Sequence, residues 1–428
     1  MAGSIDRTYP AGSEAEPLMV STSTVSTTRT SRRVNVTESR PLWQRMDWVL
    51  VASTAALLTI GCLLVWSATA NNTALTGGDS TAYLVKDATN IGIGLVLALV
   101  VASTDHRWIR IWTPVVYLAS IVGLALVLSP FGAIINGSRS WLLIGGQSIQ
   151  PSELAKLGVV VGMALLLAER TEAKRRAGWL RDWDVVAALG IAAVPAALII
   201  AQPDLGTLLV LSVTVFGLLA VAGAPKRWLF GLATLAVGGS LAAVHLGLLK
   251  GYQLLRFEAF MNPALDPQGA GYNTIQARIA IGNGGLFGQG LFHGSQTQAG
   301  FVPEQHTDFV FTAAGEELGL VGSGLLIALF LLLLCRGVAI AARADDMFGR
   351  LAGAGIVCWF GFQAFQNIGM CLGIMPVTGV PLPLVSYGGT SMFASLAAVG
   401  LLLNINLRTE RAPGLGVLRG RIARSRRF

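Results

Sequence analysis

About ten apolar runs, each of roughly 17 to 25 residues, divide this sequence, and each is long enough to cross the hydrocarbon layer of a bilayer as a helix. They fall near residues 48–68, 84–103, 111–129, 153–169, 184–200, 206–223, 228–249, 310–335, 351–373 and 390–407. The second is the weakest, because Lys86 and Asp87 sit near its start. Lipid offers backbone N–H and C=O groups no partner, so spanning segments must close their hydrogen bonds internally. The expected fold is all-α: a polytopic integral membrane protein of about ten transmembrane helices with a large extracytoplasmic loop between the seventh and eighth. Charged residues make up 13% of the chain against 53% apolar, about half the charged share usual in soluble domains, which excludes a water-soluble globule.

Cations set the orientation. With the N-terminus inside, six Lys/Arg precede residue 48, two, five, two and three occupy the four inner loops, and seven follow residue 407, so 25 of 31 lie on the cytoplasmic side. The outer segments keep only Arg139, Lys250, Arg256 and Arg278. The net charge of +8 is thus mostly a topology signal, and nucleic-acid binding is not expected, since no basic patch is interleaved with aromatics. Residues 1–45, rich in Ser and Thr, read as a disordered cytoplasmic tail, 46–407 as the membrane domain, and 408–428 as a basic cytoplasmic tail that can attract anionic lipid. The first apolar run begins too late and is too long for a cleavable signal peptide. Cys62, Cys335, Cys358 and Cys371 suit neither a zinc site nor a disulfide framework.

Polar residues collect at the outer side, where ionisable groups beside lipid need a partner or a wet cavity. The segment before the fourth run holds Arg139, Trp141, Gln150, Glu153 and Lys156, with Pro151 placed as a first helical residue. Glu153 and Lys156 share a helix face and read either as a structural ion pair or, with Arg139, as cations facing an outer cavity where they would hold phosphate. Trp141 suits an interface belt or a sugar-stacking surface. In Gln202-Pro-Asp-Leu-Gly206, Asp204 is placed to cap the next helix. Gly282 to Gly290 miss the dinucleotide spacing and read as close packing or a tight re-entrant turn. Asp308 falls where the chain re-enters the membrane, a setting that raises a carboxylate's pKa and fits it for base work, with helix capping as the alternative. Glu304 and His306 stand beside it, and Gln276 lies upstream. Glu316 and Glu317 lie deeper and must be protonated or paired. Three prolines and three glycines between Met375 and Gly389, with Ser386 and Tyr387, put irregular backbone at membrane depth, which is tolerated only where it lines a site.

Gln150-Pro-Ser-Glu-Leu-Ala-Lys156, Gln202-Pro-Asp-Leu-Gly206, Pro303-Glu-Gln-His-Thr-Asp-Phe309 with Glu316-Glu-Leu-Gly319, and Pro376-Val-Thr-Gly-Val-Pro-Leu-Pro-Leu-Val-Ser-Tyr-Gly-Gly389 resemble, in order, the SEDS (shape, elongation, division, sporulation) family. Gly294-Ser-Gln-Thr-Gln298, Gln305 and the Val-Pro-Leu-Pro-Leu run resemble its RodA branch more than its FtsW branch. The resemblance implies a peptidoglycan glycosyltransferase that polymerises lipid II on the outer face of the bacterial cytoplasmic membrane, paired with a class B penicillin-binding protein. On that reading Asp308, which falls on the family's essential Asp, takes the acceptor hydroxyl's proton. Arg139 and Lys156 stabilise the departing pyrophosphate while Glu153 orients Lys156. Trp141, Gln150, Asp204, Gln276, Glu304, His306, Ser386 and Tyr387 are the further substrate-side candidates. No cofactor is required by any motif, although a divalent cation could share the pyrophosphate. A lipid-precursor flippase, or the FtsW-type division polymerase, is the competing function.

Overall fold

The computed structural model describes Gly3 and residues 42–409, apart from 136–137, 145–146, 174–179, 248–250 and 263–268. The described residues from Leu42 onward form one compact unit. Its helices are α1 (Leu42–Arg45), α2 (Trp48–Ala70), α3 (Thr73–Thr76), α4 (Ala82–Ser103), α5 (His106–Leu128), α6 (Pro151–Ala173), α7 (Asp182–Ala201), α8 (Leu205–Val221), α9 (Lys226–His245), α10 (Gly251–Met261), α11 (Ala270–Asn283), α12 (Ser295–Ala299), α13 (Val310–Glu317), α14 (Gly319–Arg343), α15 (Met347–Leu372) and α16 (Gly389–Thr409). The expected tails lie outside the described residues except at Gly3 and at their inner edges, where α1 reaches back to Leu42 and α16 runs on to Thr409.

Each expected span carries a helix among its described residues, and among the described residues seven helices (α2, α4, α5, α6, α7, α14 and α16) are long and apolar enough to cross a membrane, with α8 a shorter apolar one. The chain is a multi-pass membrane protein. The weakest expected span is a full helix: Lys86 is exposed on α4 while Asp87 is fully buried.

Two segments depart from the expectation. The run at 310–335 is not one helix but α13 and α14, parted at Leu318 and Gly319, the latter at φ 68°. The glycine-rich segment 284–290 repairs the break: Leu320 and Val321 N–H groups donate to the Gly285 and Leu286 carbonyls at 2.9 and 3.0 Å, and Gln289 and Gly290 N–H groups donate to the Glu316 and Glu317 carbonyls at 3.0 Å. A methyl group on Gly284 or Gly288 would strike the carbonyls of Gly315 or Glu317, so the glycine run is there for close backbone approach. In the segment before α6, three antiparallel strands form a small sheet in the order β1-β2-β3: β1 (Gly132–Ile135), β2 (Ser138–Ile144) and β3 (Gln147–Ile149). Burial alternates along β2, with Ser140 and Leu142 buried and Trp141 and Leu143 more exposed, although the sequence carries no apolar–polar alternation to announce it. The fold is otherwise all-α.

Small residues let the helices close on one another, as membrane interiors require. On α16, a Cβ at Gly400 would stand 2.5 Å from the Ala98 carbonyl oxygen of α4, and Gly355 of α15 fits against Val160 of α6 and Leu218 of α8. Ion pairs fasten helix ends: Asp47, which caps α2, takes the Arg336 guanidinium of α14, and Asp346, which caps α15, takes Arg110 at 3.0 Å and His106 at 2.8 Å from α5.

Gly61 on α2 faces the backbone of Val385, where an added methyl would stand 2.5 Å from the carbonyl oxygen. Backbone cannot rotate aside as a side chain can, so Gly61→Ala is expected to cost about 1–3 kcal/mol by overpacking. A thermal unfolding midpoint in detergent equal to that of the wild type would refute this packing.

Candidate active site

Asp308 lies on a tight turn ahead of α13. The N–H groups of Thr307, Asp308 and Phe309 all point at the Glu304 carbonyl, at 3.2, 3.0 and 3.2 Å, with Glu304 at φ 50°. Phe309 occupies the N-cap of α13 and no side chain caps that helix, so the Asp308 carboxylate is not spent on capping. It is half-buried, with one oxygen against Gly379. Burial pushes its pKa up to about 7, the Glu304 charge adds to the rise, Arg256 opposes it, and Asp204 and Glu153 add smaller upward contributions.

The groups that hold this turn come from α15. Gln363, Gln366 and Asn367 share one helix face and are fully buried. The Gln363 amide donates to the Pro381 carbonyl at 2.8 Å and the Gln366 amide to the Thr378 hydroxyl at 2.7 Å. Asn367 donates to the carbonyls of Asp308 at 2.7 Å and Val380 at 2.8 Å. This polar face makes the irregular backbone of 376–386 tolerable at membrane depth. Within that segment the buried Ser386 hydroxyl accepts the Leu382 N–H at 2.8 Å, a turn-forming role. The Tyr387 N–H donates to the His306 carbonyl at 3.0 Å, and the rings of Tyr83, His306 and Tyr387 cluster at 5.0 to 5.8 Å. Burial holds the His306 imidazole below its ordinary pKa, although the Glu304 charge pulls the other way.

The other sequence-singled residues divide. Asp204 caps α8, accepting from the Thr207 N–H at 2.9 Å and hydroxyl at 2.8 Å, and Gln150 reaches the same carboxylate at 3.3 Å. Lys156 does not face an outer cavity. It is completely buried, donating to Glu153 and to Gln363 at 2.7 Å each, with its ammonium 5.4 Å from the Trp359 ring centroid. The Trp359 ring and the Gln363 amide of α15 flank it, because Pro151 starts α6 and Lys156 falls more than a turn inside. Arg139 and Trp141 are half-buried on β2, opposite Ile134 and Ala133, and Gln276 is half-buried on α11. Among the described residues, no hydrogen bond, ion pair or ring contact joins these three side chains to the Asp308 turn. Glu316 and Glu317 are held by neutral donors: Glu316 accepts from the N–H groups of Gln296 and Thr297 at 2.8 Å, and Glu317 from the Ser67 hydroxyl at 2.5 Å, while its second oxygen has no hydrogen-bond partner among the described residues. No group of three or more His, Cys, Asp or Glu is assembled to hold a metal among the described residues.

Sequence reasoning missed Gln363 and Gln366, although polar residues at helical spacing in an apolar run were a readable signal. It also gave Arg256 only a part in orientation, and the half-buried Arg256 on α10 is a cation whose field reaches Asp308.

The profile of the cell cycle protein family of FtsW, RodA and SpoVE matches residues 47–411, which include every residue of this site. The chain belongs to that family. It is 37% identical over 369 residues to the peptidoglycan glycosyltransferase MrdB of Escherichia coli K12, covering 86% of this chain and 95% of that one. It is 38% identical over 361 residues to the stage V sporulation protein E of Bacillus subtilis, covering 84% and 96%. Among solved structures, the rod shape determining protein RodA of Thermus thermophilus aligns with a TM-score of 0.62 at 33% identity, over 86% of this chain and 98% of that one. A chain described under the structural coordination of polymerization and crosslinking by a peptidoglycan synthase complex aligns at a TM-score of 0.71 and 34% identity, over 86% and 99%. The resemblance carried by the SEDS motifs is therefore a family relationship spanning the whole membrane domain.

Proposed function

We infer that this member of the FtsW, RodA and SpoVE family is a peptidoglycan glycosyltransferase that polymerises lipid II into glycan strands during cell elongation. Glycosyltransferase relatives over the full membrane domain support the reaction class, and MrdB and RodA favour the elongation branch. The observation that carries the mechanism is Asp308: an uncapping carboxylate at the edge of the membrane, with a proton affinity near neutrality. An acceptor sugar's 4-hydroxyl attacks the donor's anomeric carbon with inversion. The hydroxyl proton passes to Asp308 as the carbon–oxygen bond forms, and undecaprenyl pyrophosphate leaves with the electrons of the broken bond. Arg139 and Arg256 are the outer cations suited to the leaving pyrophosphate. Lys156 acts from inside the fold, neutralising Glu153 and bracing Gln363. The cation bias supports both termini inside and the site outside. The synthase complex to which a structural relative belongs supports a crosslinking partner, for which a class B penicillin-binding protein is proposed.

A base must be ionised to act, so polymerisation should fall about tenfold per pH unit below a midpoint near 7. Stability moves oppositely. A raised carboxylate pKa means the folded state holds the proton more tightly, so this group favours folding at low pH and that advantage is lost as pH rises through about 7. Initial rates of glycan formation from purified lipid II between about pH 5 and 9 test both the activity and the base. A flat profile removes Asp308 from the chemistry, and no product from well-folded protein with its partner removes the activity.

A further inference from the structure

Asn367 is one turn from the end of α15, fully buried, and makes two donations that bridge otherwise separate segments. One amide proton goes to the carbonyl of Asp308 itself, at 2.7 Å, and the other to the carbonyl of Val380, at 2.8 Å. Val380 follows Gly379, whose φ of 70° turns the chain toward the acid, so that a Cβ built on Gly379 would stand 3.3 Å from Asp308 Oδ2. Thus a single amide sets the spacing between the turn that carries the base and the glycine backbone that covers one of its oxygens. Only an amide supplies two N–H donors from one branch point at this length, whereas a leucine of similar size supplies none.

Resting on the reading of Asp308 as base, we propose that Asn367 is a positioning residue for glycosyl transfer. Its amide clamps the Asp308 turn to the Gly379 turn, and the clamp fixes how much water reaches the carboxylate. The charged and titratable groups whose fields reach that carboxylate are Glu304 on its own turn, Arg256 on α10, Asp204 ahead of α8, Glu153 on α6 and Cys371 on α15, with His306 two residues before it in the chain. None of these charges is altered by an Asn367 substitution, so a changed proton affinity at Asp308 would report the clamp rather than a lost charge. Releasing the clamp admits water, stabilises the carboxylate anion and makes it a weaker base.

The test compares the pH–rate profiles of wild type, Asn367→Ala and Asn367→Ser in lipid II polymerisation with the partner synthase present. The expected result is a fall in kcat of about 10-fold or more with KM little changed, and an acid-side midpoint moved by about one pH unit toward the ordinary carboxylate range. Asn367→Gln, which keeps two amide donors on a longer side chain and so misplaces the clamp without leaving a void, gives the second route to a displaced midpoint if both truncations fold poorly. A merely structural role would lower the amount of active protein and leave the midpoint where it was. Unchanged midpoints in all folded variants overturn the clamp. A wild type without any acid-side limb overturns instead the reading of Asp308 as base, so the two failures are distinguishable.

Discussion

Asp308→Asn should lower the rate of glycan polymerisation by about 10²- to 10⁴-fold while leaving the protein folded, the range expected for removing a general base. Folding survives because the turn is held by backbone and not by the carboxylate: the Asp308 N–H goes to Glu304 and its carbonyl receives Asn367. An asparagine keeps the volume beside Gly379 and removes a charge whose burial is costly, so the thermal midpoint should be equal or higher. The measurement is glycan chain formation from lipid II by matched amounts of wild type and variant, with unfolding followed in the same detergent. Equal polymerisation by the two would make Asp308 structural. In that event Glu304, exposed on the same turn, becomes the next carboxylate to replace.

Much of this was legible in the sequence because lipid imposes so few solutions. Runs of about 20 apolar residues give helices, and Pro151 and Asp204 start α6 and α8 where their chemistry predicts. For Asp308 the sequence left capping and base work open, and the structure does not use its carboxylate as a cap. The break at Leu318 was not legible, since Gly319 within an apolar run resembles any other membrane glycine until the backbone of 285–290 is brought to it. Depth was the other blind spot. Lys156 has the same sequence whether it faces outward or inward, and its direction is decided by Gln363 and Trp359, two hundred residues away on α15. Side chains that act across such separations leave helical spacing as their only local trace, which is what Gln363, Gln366 and Asn367 show.

The buried pair gives the second large effect. Lys156→Met leaves Glu153 charged, enclosed and without its ammonium, and one of its oxygens has no hydrogen-bond partner even in the wild type. Removing one member of a buried pair typically costs about 3–5 kcal/mol, so this variant should lose a large part of its stability. Gln363 is not orphaned by the change, because Trp359 Nε1 still donates to its oxygen at 2.6 Å, so the loss belongs to Glu153. The double variant Glu153→Gln with Lys156→Met keeps both volumes and removes both charges. It should recover most of the lost stability, since replacing a whole buried pair is often close to neutral. If Lys156 acts only by neutralising Glu153 and bracing Gln363, polymerisation returns with the fold, to within about 10-fold of wild type, which corresponds to about 1.4 kcal/mol in the barrier. A stable double variant that polymerises nothing would mean that the ammonium reaches the pyrophosphate during the cycle, through an opening between α6 and α15 absent from this state. Unfolding midpoints and polymerisation rates of the single and double variants, taken together, decide between a lysine that supports the site and one that takes part in it.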